Sequence, residues 1–144
     1  MRLTCTILLP CLTFALPSAW AEKIMLGIGK KTVHAEVANT PQSREHGLMQ
    51  RNKLCADCGM LFVFEKVDRY NFWMKDTPLP LSIAFITADG AIINIAEMRP
   101  NTTDSHSAKG DALYALEMPG GWFARNGIKP GGKVRGVKNA PAAH

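Results

Sequence analysis

Six side chains in this sequence have the types and spacing to hold a polar ligand. Arg44 and Arg51 lie seven residues apart, which places both on one face if the segment around them is helical. Trp73, Lys75 and Thr77 occupy alternate positions of Asn71-Phe72-Trp73-Met74-Lys75-Asp76-Thr77, so a strand there turns all three to one side and Phe72 and Met74 to the other. Glu117 falls in the apolar run Ala112 to Met118, opposite Tyr114 and Leu116. An indole face stacks on a sugar ring, and a cation with a hydroxyl hydrogen-bonds an anion or a hydroxylated ligand. Two arginines add bidentate anion recognition to the same cavity. Glu117 near Lys75 is a candidate general acid or base for hydrolysis of an envelope polymer. The same charges also suit an internal network of ion pairs that fixes a helix to a sheet, with Trp73 as packing.

Other constellations are weaker. Cys55-Ala56-Asp57-Cys58 has the spacing of a redox pair, half a zinc site or a small structural disulfide. Zinc needs four ligands, and there is no second CxxC or paired HxxxH. A redox cysteine gains from a helix N-terminus, whereas the strand-like Gly59-Met60-Leu61-Phe62-Val63-Phe64 follows here. The expectation is a disulfide between Cys55 and Cys58. Asp104-Ser105-His106-Ser107 holds the residue types of a serine hydrolase, but adjacent residues do not line up nucleophile, base and carboxylate, and no nucleophile elbow surrounds them. His34, His46, His106 and His144 are scattered, and Met60, Met74 and Met118 sit where a strand buries its core, so no metal or other cofactor is expected.

The elements that position these residues are short. Val33, Ala35 and Val37 alternate with Thr32, His34 and Glu36. Comparable period-2 stretches run over residues 60–64, 70–75, 81–85, 92–98, 112–118 and 133–137. Ala88-Asp89-Gly90 between two of them predicts a hairpin turn. Thr40-Pro41 opens a predicted helix over residues 42–50, and Gly121 to Asn126 is a single turn closed by Gly127. About eight strands and two short helices predict a mainly β fold, a compact sandwich or barrel with helical plugs.

The first 21 residues stand apart. Arg2 precedes an uncharged apolar run, Leu3 to Leu16, too short to cross a bilayer, and Ala19-Trp20-Ala21 has the small residues of a cleavage site. Residues 1–21 therefore read as a cleaved secretory signal, residues 22–139 as a single domain, and residues 140–144 as a loose tail. Of 144 residues with 17 basic and 12 acidic, removal of the leader takes one basic residue (Arg2) and two cysteines (Cys5 and Cys11). The expected product is a mildly basic protein, periplasmic or secreted, without a further membrane span. It has no clustered Lys/Arg run, so nucleic acid is not an expected partner.

Taken in order, Arg44-Glu45-His46-Gly47-Leu48-Met49-Gln50-Arg51, Gly59 to Phe64, Phe72-Trp73-Met74-Lys75-Asp76-Thr77, Ala88-Asp89-Gly90 and Tyr114-Ala115-Leu116-Glu117 to Gly127 resemble the successive motifs of the DUF192 family. The resemblance spans roughly Lys23 to Val137 and implies a compact jelly-roll-like domain, often exported, without an established activity. Arg44, Arg51, Trp73, Lys75 and Glu117 match the family pattern. Asp76, Ser82 and Thr87 depart from it, which puts an acidic catalytic pair at the last two positions in doubt. Three functional expectations follow. The first is a binding or accessory module whose pocket, lined by Arg44, Arg51, Trp73, Lys75, Thr77 and Glu117, takes an anionic or sugar-like ligand. The second is the hydrolase using Glu117. The third is an accessory protein that binds a partner without a small-molecule site.

Overall fold

A computed structural model describes residues 22–144; the leader-like segment 1–21 lies outside the described residues. The chain opens with β1 (Lys23–Ile28) and β2 (Lys31–Ala38), an antiparallel hairpin. In β2 the expected alternation holds: Val33, Ala35 and Val37 are buried while Thr32 and His34 face solvent. Helix α1 (Pro41–His46) follows. The Thr40 hydroxyl accepts the Ser43 N–H and the Ser43 hydroxyl accepts the Thr40 N–H, a reciprocal cap that satisfies two donors the helix leaves open. The predicted helix over 42–50 is shorter than expected, because Gly47 takes φ 50° and turns the chain out of the helix.

A crossover of this kind lets β3 (Cys58–Asp68) lie parallel to β2. Residues Gly59–Val63 are buried, as a strand with apolar residues on both faces requires. After the two-residue strand β4 (Asn71–Phe72) come β5 (Leu81–Ile86) and β6 (Ile92–Met98), joined by the Asp89-Gly90 hairpin turn. Next are β7 (His106–Ser107), β8 (Ala112–Pro119), the one-turn helix α2 (Trp122–Arg125), β9 (Val134–Arg135) and a 3-10 turn, Val137–Asn139. Seven strands form one sheet in the order β6-β5-β8-β3-β2-β1-β9, and β4 pairs with β7. The mainly β expectation is met, as a curled half-barrel with two short helices.

The curl brings the ends of the sheet together. Gly131 N–H donates to Ile92 O, Ile92 N–H to Gly132 O and Val134 N–H to Gly90 O, each at 2.8 Å. Farther along β6, Asn94 donates to Ser107 O at 3.2 Å and accepts the Lys109 N–H at 2.9 Å. Two apolar clusters occupy the two faces. One, inside the curl, gathers Leu26, Val33, Leu61, Leu116 and the plug residues Trp122 and Phe123. The other gathers Leu48, Met60, Phe62, Met74, Ile83 and Phe85 beneath α1 and the loops that follow it.

Two expectations need correction. The strand over residues 70–75 stops at Phe72, because Asp76 adopts φ 51° in a turn closed by a hydrogen bond from Thr77 N–H to Met74 O. Residues 140–144 are not loose: His144 N–H donates to Asn39 O at 3.0 Å, Asn39 donates to Ala142 O at 3.1 Å, and Ala140 and Ala143 pack on the inner cluster.

Cys55 and Cys58 form the expected disulfide, with Cα atoms 5.0 Å apart. The loop they close is gripped at Asp57, whose carboxylate accepts the Trp122 indole N–H at 2.9 Å and whose carbonyl accepts the His34 N–H at 2.9 Å. Cys55→Ser in residues 22–144 is expected to lower the unfolding free energy by about 2 kcal/mol, the chain-entropy value for so small a loop. Urea unfolding measures this. An unchanged midpoint would mean that the Asp57 contacts alone hold the loop.

Candidate functional site

The apolar pattern of β8 places Glu117 among hydrophobic neighbours. Tyr114, Leu116 and Met118 belong to the inner cluster and Ala115 to the outer one, so Glu117 shares the outer face with Ala115. Its backbone neighbours are Met60 on β3 and Ile83 on β5. Glu117 is only 4% exposed, and among the described residues its carboxylate has no hydrogen-bond donor and no ion-pair partner. Burial pushes its carboxyl up to about 8. At neutral pH it is therefore mostly a neutral acid with a proton to donate.

This carboxyl lines a cavity of about 220 Å³. Phe62, Phe64 and Phe72 form apolar walls; Phe72 meets Phe62 edge-on with centroids 4.9 Å apart. The segment from Arg44 to Met49 forms another wall, and Trp73 and Thr77 complete it. The exposed flank of the Trp73 indole, half open to solvent at 51%, leads to a second cavity of about 340 Å³ lined by Gln42, Glu45, His46, Met49, Trp73, Lys75 and Asp76.

The six expected site residues are thus divided. Arg44, Trp73, Thr77 and Glu117 line the first cavity, and Lys75 lines the second with its Nζ 5.6 Å from the Trp73 ring centroid. Arg51 lines neither of these cavities. Because the helix ends at His46, Arg51 is carried toward β2 and makes a two-pronged pair with Glu36 at 2.9 and 2.6 Å. That bond holds the Glu36 carboxyl below the usual carboxylate range. Arg44 is also largely committed, donating to Asn39 O at 2.8 Å and Val63 O at 3.1 Å and pairing with Glu65 at 3.3 Å. Thr77 does not share a face with Trp73 and Lys75 as alternation predicts; the Asp76 turn buries it, and its hydroxyl donates to the Lys75 carbonyl at 3.0 Å. No cation reaches Glu117 within pairing distance among the described residues, so the expected ion pair does not form there.

Sequence reasoning missed His46, Met49, Phe62, Phe64 and Asn71 as lining residues. The alternation of Met60, Phe62 and Phe64 on the outer face was the available signal, since it sets these rings beside Glu117 across the β3–β8 pairing. In the Asp104–Ser107 loop the hydrolase types do not converge. Ser105 and Ser107 both donate to Asn71, Asp104 pairs with Arg99 at 2.9 Å, and the buried His106 Nε2 has no partner among the described residues. No three His, Cys, Asp or Glu side chains converge on a possible metal position among the described residues. No helix there is long and apolar enough to cross a membrane.

The comparisons with known proteins agree with this architecture. The model of the family DUF192, described as Uncharacterized ACR, matches residues 24–136. A solved structure from Sinorhizobium meliloti 1021, described as a candidate transcription regulator, is similar at 32% identity and TM-score 0.74, over 78% of this chain and 91% of that one. A Novosphingobium aromaticivorans DSM 12444 protein of unknown function is similar at 34% identity and TM-score 0.76, over 83% and 89% of the two chains. No curated protein matches. With the family pattern running from β1 to β9 and the same fold in solved relatives above 30% identity, the chain belongs to the DUF192 family.

Proposed function

We propose that the chain is a binding module for a small sugar-like, hydroxyl-bearing ligand, held in the Glu117 cavity. The observation that carries this reading is an unpartnered, buried carboxyl facing an aromatic-walled cavity. As a neutral acid on the cavity wall, it can donate a hydrogen bond to a ligand hydroxyl oxygen there. Trp73 offers an indole face at the cavity mouth. The anionic alternative is less well supported, because Arg51 lies elsewhere and Arg44 already donates to carbonyls. The chain has no clustered Lys/Arg run, which supports a ligand other than nucleic acid. The leader-like first 21 residues support a periplasmic or secreted site of action.

A thermal-shift screen of residues 22–144 against neutral sugars, sugar acids and simple anions tests this. Neutral sugars are expected to raise the melting temperature, and Glu117→Leu to abolish the rise while folding normally. Stabilisation by anions alone would sink the reading.

A hydrolase is the second reading, favoured by the same neutral acid, since a general acid must hold its proton at working pH. Glu45 supplies a second carboxylate to the cavity. On this reading Glu117→Gln keeps sugar binding and loses release of reducing ends from a polymer substrate.

A further inference from the structure

The two cavities beside α1 are contiguous in their walls: Glu45, His46, Met49 and Trp73 line both. The inner one, at about 220 Å³, falls short of the ~300–1,000 Å³ of an ordinary ligand site, whereas the two together fall within it. Trp73 stands between them, half exposed, with Phe72 beside it turned into the aromatic cluster. The charges facing the pair balance. Arg44 and Lys75 are basic, Glu45 and Asp76 are acidic, and Glu117 is buried without a counter-ion among the described residues. Gln42 adds an amide and His46 an imidazole to the outer wall. Mixed donors and acceptors of zero net charge around an indole suit a chain of neutral hydroxylated rings better than a charged ligand.

Resting on the sugar-binding reading above, we propose that the inner and outer cavities are successive subsites of one cleft for a neutral oligosaccharide of at least two rings. One ring enters the inner cavity against Glu117, and the chain passes across Trp73. The next ring meets Lys75, Asp76 and Gln42. Lys75, which has no ion-pair partner among the described residues, is the donor that reads the second ring. Length selectivity thus resides in the outer cavity, while capture of any sugar at all resides in the inner one.

The test is a titration of residues 22–144 with one- to four-unit series of N-acetylglucosamine, glucose and mannose, followed by backbone amide shifts. A monosaccharide is expected to shift amides of Phe62, Thr77 and Glu117, and the matching disaccharide to bind at least tenfold tighter and also shift Gln42, Lys75 and Asp76. Lys75→Ala is expected to cancel the disaccharide's gain and leave the monosaccharide unchanged. If a monosaccharide binds and lengthening it adds neither affinity nor the outer shifts, the two-subsite inference falls and the sugar-binding reading stands. If no sugar of any length shifts the inner amides, both fall. If Lys75→Ala weakens monosaccharide and disaccharide equally, the outer subsite is overturned.

Discussion

Glu117→Gln is expected to match the wild type in stability at pH 4 and to exceed it by on the order of 4 kcal/mol at pH 8.5. The sign follows from proton binding. The folded carboxyl holds its proton up to about 8, whereas the unfolded one releases it near 4.5. Between these values the native state binds more protons than the unfolded state, so wild-type stability falls as pH rises, by about 1.4 kcal/mol per unit. Below 4.5 both states are protonated and above 8 both are ionised, so the difference is confined to that window. Glutamine keeps the shape and cannot ionise, which removes the slope. For a domain of this size roughly 4 °C of melting temperature accompanies each kcal/mol, so the two proteins should separate by roughly 15 °C at pH 8.5. Paired melting curves at pH 4, 6 and 8.5 measure it. Parallel curves would show that the Glu117 charge is already compensated in the native cavity. A stabilising loss of a buried acid is the behaviour expected where a group is kept for function at a cost in stability.

Gly59→Ala is expected to destabilise by 3 kcal/mol or more, and to disorder the site without touching any side chain that lines it. Gly59 pairs with Ala35 on β2 and sits against β8. A Cβ there would collide with the Glu117 carbonyl oxygen and stand 2.5 Å from Met118 Sδ. The first obstacle is backbone in a strand paired on both sides, so relief requires β3 and β8 to separate. Because Glu117 belongs to the strand that must move, the variant should show both a lower urea midpoint and a weakened response to sugars. Substitution without loss of stability would mean that the β3–β8 spacing is looser than this contact allows.

The strands were legible because burial follows residue type at period two, as in Val33-Ala35-Val37, and the cap of α1 was legible because Thr40-Pro41 is a local signal. The site was only partly so. Periodicity assumes that a strand or helix continues, and it failed where one turn residue ended the element. Gly47 stopped α1, which moved Arg51 from the cavity to Glu36. Asp76 at φ 51° stopped the strand, which buried Thr77 and set Lys75 in a separate cavity. Glu117 was found from its position in an apolar run, but its isolation from every described cation depends on where Arg44 and Arg51 were carried, a long-range outcome that no spacing contains.

The approach of β9 to β6 bears on what an incoming second chain could pair with. A sheet end with free N–H and C=O groups is a template on which a second chain can add a strand. Here the start of β6 is occupied by residues 131–134, and the Asn94 side chain ties its middle to Ser107 of β7 and to Lys109 beyond it. The covering residues 131–134 come after every strand of the main sheet but β9 itself. Until they arrive, the growing molecule carries an open rim, so the closing stretch guards the fold against intermolecular strand addition as well as completing the sheet.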